Sequence, residues 1–398
     1  MSFIRKISTC LSAGIFIVST GNALAAPDQE ERIKQLEDQV SALTEAVEDT
    51  EGTGSHWDRL HFGGYGELHY NNLSIEGGEN SKEIDFHRFV LFIGYDFTDS
   101  LRFYSELELE HSLVEDTEDG SGPGEIELEQ AYIQYDINDL SNVVGGLFLL
   151  PIGILNETHE PPTFYGVERN DVENIIIPAT WWEAGAMYTQ RFGRGFSWDF
   201  AVHSGLNIPT DGGSAFRIRS GRQKVAKAKA NDLAGTTRLK YTGFPGLEAA
   251  VSAQYQGGPT QGSDNNAIDD GWLLEGHLIY GHGPYAIRAL YSRWNLNGDG
   301  VEAADVDTQT GWYIEPSIKP FNNNFVPLLA DKVGFYFRYE DLDAARTRDR
   351  FNQWEAGFNY WPHPDVVVKF DYRDRSHDLD AEQGRDFTGF DIGLGYQF

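Results

Sequence analysis

Cysteine is all but missing from this 398-residue chain, which has one, Cys10. A single thiol excludes a disulfide scaffold and a centre built on paired Cys ligands. Basic residues are also scarce. Lys and Arg number 31 against 62 Asp and Glu, a formal net charge of -31, so no broad cationic face exists to meet nucleic-acid phosphates. Long apolar runs are lacking too. The longest uncharged stretch near either end is Ile7 to Pro27 and mean hydropathy is -0.43, which excludes a bundle of membrane helices. What the chain has instead is 43 Gly and 53 aromatic residues (9 Trp, 19 Tyr, 25 Phe), enough apolar surface to exclude disorder.

Residues 1–25 read as a secretory signal. Arg5 and Lys6 supply the positive n-region, Leu11 to Ser19 the apolar core, and Ala23-Leu24-Ala25 the small-residue cleavage site. Cys10 lies ahead of the apolar core, which argues against lipidation, and it leaves with the signal. Cleavage would leave 29 basic against 62 acidic residues, a net charge of -33. Over 26–50 the spacing changes to alternating threes and fours. Ile33, Leu36, Val40, Leu43 and Val47 form the narrow seam of a short coiled coil. About three heptads are marginal alone in water, so a stalk that oligomerises is expected, with a single docked amphipathic helix as the alternative. The β-branched a positions with Leu at d favour two strands and do not establish a trimer. Glu51-Gly52-Thr53-Gly54-Ser55 ends the helix and opens a linker over 51–60.

From His61 onward the period is two. Phe103, Leu107 and Leu109 alternate with Arg102, Glu106, Glu108 and Glu110, and Val366, Val368, Phe370 and Tyr372 with Lys369, Asp371 and Arg373. Each run is about ten residues, the length of a tilted strand across a bilayer. A soluble sandwich would use shorter strands. Sixteen runs are counted, from near His61 to near Phe387. Connections after odd-numbered strands are long and polar (72–83, 112–124, 151–180, 207–234, 257–270, 295–308, 342–351, 374–386). Those after even-numbered strands are short turns such as Thr98-Asp99-Ser100 and Pro362-His363-Pro364, with 321–331 looser. Outer-membrane barrels have this asymmetry. The expected fold is all-β: a sixteen-stranded antiparallel transmembrane β-barrel over 61–398, preceded by the coiled-coil helix. Phe390, Ile392, Leu394, Tyr396 and Phe398 give the last strand an apolar face, and its terminal aromatic looks like a signal for the barrel-insertion machinery.

The chain resembles the phosphate-selective porin O and P family of Gram-negative outer-membrane channels. The resemblance rests on the helix before the barrel and on five segments in order: His61-Phe-Gly-Gly-Tyr-Gly-Glu67, Phe86-His-Arg-Phe-Val-Leu-Phe92, Glu127-Leu-Glu-Gln-Ala-Tyr-Ile133, Gly146-Leu-Phe-Leu-Leu-Pro-Ile-Gly153 and Arg219-Ser-Gly-Arg-Gln-Lys-Val225. It implies a homotrimeric porin in the outer membrane, in contact with lipid and lipopolysaccharide, passing small anions or hydrophilic solutes and needing no cofactor.

Selectivity points to one segment. Arg217, Arg219, Arg222, Lys224, Lys227 and Lys229 fall within thirteen residues, with no acid from Gly212 to Ala230. Folded into the lumen, they would attract anions where low-dielectric walls focus the field; left in solvent, they would meet lipopolysaccharide phosphates. Arg102, Arg238 and Lys240 have the parity of lumen positions and would extend the basic track, as would Arg288, Arg338, Lys369 and Arg373. Glu106, Glu108, Glu275, Glu315, Glu340 and Glu355 share that face, so a mixed lumen is expected. The phosphate channels of the family carry lysines on inward loops. Here 151–180 has Glu157, Glu160, Glu168, Asp171 and Glu173 against Arg169 alone. A general or mildly anion-favouring porin is therefore expected over a dedicated phosphate channel. Acidic and basic segments facing each other would set a transverse field across the eyelet.

Other classes have less behind them. His203-Ser204 and Ser292 sit in no G-x-S-x-G elbow and no triad spacing. His61 and His69 are about 26 Å apart on one strand, and His159 beside Glu157 and Glu160 lacks an i, i+4 partner, so no metal is assigned. The acidic runs Glu115 to Asp119 and Asp299 to Asp307 lack the ligand spacing of a Ca²⁺ loop. The remaining alternative is a barrel acting as an adhesin or envelope tether, its stalk touching the cell wall.

Overall fold

The computed structural model describes residues 56–114, 124–264, 266–321, 326–377 and 385–398. The expected signal, the stalk at 26–50, the first half of the linker and the acidic run from Glu115 lie outside these residues. Period-two sequence becomes strand throughout: β1 (Leu60–Ile75), β2 (Ser81–Asp96), β3 (Leu101–Glu110), β4 (Ile126–Asn138), β5 (Ser141–Leu149), β6 (Trp182–Arg191), β7 (Phe196–His203), β8 (Ala234–Tyr241), β9 (Leu247–Gln256), β10 (Asp270–His282), β11 (Tyr285–Asn297), β12 (Thr308–Ile318), β13 (Val333–Asp343), β14 (Arg350–His363), β15 (Val366–His377) and β16 (Phe387–Gln397). Neighbours pair antiparallel in sequence order, and β1 pairs with β16 to close the barrel. Closure leaves no unpaired edge, which a lipid environment requires. Tyr65 opposes Gln397 and Ile75 opposes Phe387. Gly64 and Phe398 exchange backbone hydrogen bonds of 3.1 and 2.9 Å beyond that register, so the terminal residue belongs to the seam.

The alternation of faces holds. Leu107, Trp272, Leu274, Phe335, Phe337, Phe370, Ile392 and Leu394 are exposed on the outside, whereas Glu106, Glu108, Glu275, Glu315, Glu340 and Glu355 are buried within the lumen. Turns such as 139–140, 283–284 and 364–365 alternate with long connections. One expectation needs correction. The first connection, expected over 72–83, is only residues 76–80, because β1 and β2 each run for sixteen residues. Polar residues such as Asn71, Asn72, Lys82 and Glu83 stay in the ladder there, since strands projecting past the hydrocarbon have no need of apolar side chains.

The apolar core lies inside the barrel. Ile152, Ile154, Val172, Ile175, Ile176, Ile177 and Trp181 of the 150–181 connection pack with Ile208 and Ile218 of the 204–233 connection. They meet Leu290, Trp294, Leu296, Tyr313, Leu342 and Phe351 of the wall. The Trp294 indole donates to the Ile176 carbonyl at 2.9 Å and lies 6.2 Å from the Trp181 ring. The apolar faces of the two inward loops thus pack on the β11–β14 wall, while polar side chains of the first loop meet β1, β3 and β4.

Candidate functional site

The inward fold of the first loop is fixed by one carboxylate. Glu173, on a single π-helical turn at Val172–Ile176, is buried. Its Oε2 accepts the backbone N–H groups of Ile154 and Leu155 at 2.7 and 2.6 Å, while Oε1 accepts from the Tyr313 hydroxyl at 2.8 Å and from Asn170 at 3.2 Å. Gly153 makes the approach possible: its φ is +77° and a Cβ there would lie 2.7 Å from Glu173 Oε2. Every lone-pair direction of the buried carboxylate is thereby satisfied.

Three other acids of this loop, Glu157, Glu168 and Asp171, are tethers as well. Glu157 accepts from Arg238, which also binds Asp199 at 2.8 Å. Glu168 accepts from His69 at 3.1 Å and from Asn71 at 3.0 Å, and Asp171 binds Arg375. Burial alone would raise the carboxyl pKa of Glu157, but the Arg238 charge outweighs it and the net direction is down. Glu168 goes the same way, well below the carboxylate range, because His69 and Arg373 outweigh its burial. Glu157, Glu168, Asp171 and Glu173 therefore do not form the open negative bank that their sequence suggested.

The basic run also enters the lumen, laid across the first loop. Arg217 binds Asp349 at 3.1 Å. Lys224 reaches Glu125 at 2.5 Å and also Glu127; burial lowers its pKa less than these two partners raise it. Glu125, held mainly by hydrogen bonds from Glu127 and Lys224, is depressed to about 2. Arg219 donates to the carbonyls of Asn174 and Ala179 at 3.0 and 2.7 Å. Arg222 donates to Thr180 O at 2.5 Å and lies 5.6 Å over the Trp182 ring. On the first loop, Arg169 donates to the His159 carbonyl at 3.4 Å. None of these three arginines makes an ion pair among the described residues. Burial pushes the Arg219 pKa well down from its ordinary value, and the cations of Arg222, Arg217 and Arg169 push the same way. Burial likewise lowers that of Arg222, against Glu127 and Glu129.

The remaining expected site residues are dispersed. Lys227 and Lys229 are exposed. Arg102 binds Asp136 near the turn end of the barrel, Arg238 is committed to Glu157 and Asp199, and Lys240 is half-buried next to the 242–246 turn. They do not continue the run as free charges.

Two bulges supply polar groups that the strand period alone hides. Glu67 opposes Arg88 but His69 opposes Asp85, so β2 carries one residue more than β1 there. An extra residue aims two successive side chains to one face: Arg88 binds Glu67 at 2.7 Å and Glu108 at 3.2 Å from inside, and His87 stacks on His69 beside it. On β4, Gln130 opposes Glu106 and Leu128 opposes Leu107. Glu129 and Gln130 then both point inward, the first accepting from Thr180 at 2.5 Å and the second donating to Glu106 at 2.6 Å. Cavities of about 320 and about 210 Å³ share His69, His87, Glu168, Arg169 and Asn174 in their linings, and Arg219 borders the second. We assign these adjoining cavities as the constriction of the lumen. On the turn side the middle of the first loop borders a wider cavity of about 1020 Å³, where Trp361 donates to Pro162 O at 3.1 Å and Arg288 to Thr163 O at 2.7 Å.

A sequence model of the family described as phosphate-selective porin O and P matches residues 63–398. This chain belongs to that family. The porin is 28% identical over 332 residues to an uncharacterized protein of Aquifex aeolicus (strain VF5), covering 78% of this chain and 74% of that one. Its fold is similar to that of an anion-selective porin from Comamonas acidovorans, with TM-score 0.56, 12% identity and coverage of 85% and 99%. It is also similar to OmpT, an outer membrane protein of Vibrio cholerae, in its trimer form, with TM-score 0.51, 12% identity and coverage of 85% and 99%. Family and fold make this porin a channel of the Gram-negative outer membrane, and they point away from an enzyme.

Proposed function

We propose that this porin passes small hydrophilic solutes by diffusion and mildly favours anions at its constriction. The observation that carries the reading is the trio Arg169, Arg219 and Arg222, whose guanidinium groups bind backbone carbonyls and, among the described residues, no carboxylate. A desolvated cation without a counter-ion is costly, and a passing anion offsets part of that cost. Lys224, Arg217 and Arg238, already neutralised, contribute less. The crowd of carboxylates on β3 and β4 argues for a general porin over a dedicated phosphate channel.

Around the barrel, the reading includes an export signal at 1–25, a periplasmic stalk at 26–50 and a homotrimer. The trimer form of the Vibrio cholerae fold relative supports the last of these. Lys227 and Lys229, exposed at the loop surface, suit contact with lipopolysaccharide phosphates. The test is a reversal potential in a potassium chloride gradient across a planar bilayer holding the purified protein. A potential of the sign set by chloride supports the proposal; one set by potassium refutes the anion preference, and no current at all would favour a tether.

A further inference from the structure

We propose that the lumen wall beside the constriction binds a divalent transition-metal cation through His87, with His111, Asp85, His69 and Glu168 as the surrounding donors. The bulge in β2 gathers these groups. With uninterrupted pairing, His69 would oppose Phe86, and Asp85 and His87 would face lipid; the extra residue brings both inside. His111 follows β3 in a left-handed conformation (φ 53°), and its backbone N–H donates to the His87 carbonyl at 3.2 Å. That bond fixes the third imidazole against the second.

The donor geometry is compact. Asp85 Oδ2 lies 2.9 Å from Nδ1 of His87 and 2.9 Å from Nδ1 of His111. The rings of His69 and His87 stack at 4.7 Å, and those of His87 and His111 meet edge-on at 5.5 Å. In both His69–His87–Glu168 and Asp85–His87–His111, one donor atom from each residue lies within 4.8 Å of the others. Metal–ligand bonds of about 2.0–2.2 Å give donor–donor edges of roughly 3.0–3.5 Å, so small side-chain shifts close either set. The cavity these groups line also holds Glu83 and Asp171, and with Asp85 and Glu168 its four carboxylates outnumber its two arginines, Arg169 and Arg373.

Donor chemistry selects the ion. Imidazole nitrogen with carboxylate oxygen suits Zn²⁺, Co²⁺, Ni²⁺ or Cu²⁺, whereas Mg²⁺ and Ca²⁺ take oxygen alone. A bound dication would add positive charge beside Arg169, a consequence for anion preference that rests on the channel reading. The binding itself does not.

The test is calorimetric titration of Zn²⁺ into untagged, chelator-treated full-length protein in detergent, with His87→Gln, His111→Gln and His61→Gln in parallel. Saturable Zn²⁺ binding is expected in the unmodified protein. His87→Gln should weaken it at least tenfold, because His87 belongs to both donor sets. His111→Gln, at an exposed position past the end of β3 where folding is not at risk, should weaken it severalfold, and His61→Gln should leave it unchanged. Mg²⁺ at the same concentration should not compete. Absence of saturable binding, or equal affinity in the unmodified protein and in both His87→Gln and His111→Gln, overturns the proposal. Because the heat is read without any current, failure of the channel reading would leave this result standing.

Discussion

Replacing Arg219 with Gln removes one charge from the constriction and keeps a side chain able to donate to the Asn174 or Ala179 carbonyl. The size of the effect follows from electrostatics in a wet pore. An ion passing about 6 Å from the guanidinium, in water of dielectric near 80, interacts with it by roughly 0.7 kcal/mol before screening. Debye lengths of about 30 Å at 0.01 M, about 10 Å at 0.1 M and about 3 Å at 1 M reduce this to about 0.6, 0.4 and 0.1 kcal/mol. Chloride loses the attraction while potassium is freed from the repulsion, so the permeability ratio changes by twice each value. The chloride-to-potassium ratio should therefore fall about sevenfold at 0.01 M, about fourfold at 0.1 M and about 1.4-fold at 1 M. The assay is a reversal potential at each salt with the same gradient ratio. Lys227→Gln with Lys229→Gln serves as the comparison, because those two cations are exposed at the loop surface. If Arg219→Gln shifts the ratio no more than that pair at 0.01 M, the assignment of Arg219 to the conducting path is wrong.

Three further outcomes follow from the same contacts. Lys224→Gln should change the ratio less than Arg219→Gln at every salt, since Glu125 and Glu127 already oppose Lys224; an equal shift would show that these carboxylates do not neutralise it. Glu173→Ala leaves the Ile154 and Leu155 N–H groups and the Tyr313 hydroxyl unpaired, at roughly 1–3 kcal/mol for each buried group. Larger and noisier single-channel currents are expected with unchanged strand content by circular dichroism, and a quiet channel of normal conductance would refute the tether. Glu157 and Glu168 have depressed carboxyl pKa values in the folded state. Their stabilisation is therefore complete above the ordinary carboxylate range near 4.5 and is lost as pH falls through the lower folded values. Loop seating, read as current noise, should be steady from pH 7 down to about 4.5 and be lost only below it; an onset of noise centred between pH 5 and 6 would contradict the ion pairs that hold the loop.

Strand number, strand starts and the alternation of loops with turns were legible because the lipid-facing period depends on composition alone. Leu107, Phe370 and Ile392 need no partner to declare their face. The inward course of 150–181 left a weaker trace, since a run such as Ile175-Ile176-Ile177 marks an apolar segment without saying what covers it. Pairing across the lumen left none. Arg217 meets Asp349, 132 residues away, and Asp171 meets Arg375 across 204, so a cluster of like charges in sequence need not be a cluster of free charges in space. The histidines were hidden by register. Counting along β1 sets His69 against His61, far away on the same strand, whereas the bulge in β2 sets it against His87. A bulge shifts parity by one, and period-two reasoning has no means of placing it in advance.

The same distinction between total and unpaired charge explains how a strongly acidic chain can favour anions. A permeating ion responds to charges within about a Debye length of its path, weighted by how far each is already compensated. Several carboxylates near the loops are paired with a cation: Glu157 with Arg238, Glu168 with His69, Asp171 with Arg375 and Asp349 with Arg217, while Glu125 and Glu127 share Lys224. Glu108 and Glu67 share Arg88. Among the described residues, Arg169, Arg219 and Arg222 of the two inward loops have no carboxylate partner, and Arg169 and Arg219 line the constriction, the second because loop carbonyls at Asn174 and Ala179 hold it there. Neutral acceptors position a guanidinium without cancelling its charge. Had carboxylates taken their place, the loop would be held as firmly and the local field would vanish. On the proposed reading, the choice of carbonyl over carboxylate at these contacts, more than the number of lysines and arginines in the run, would set the sign of the selectivity.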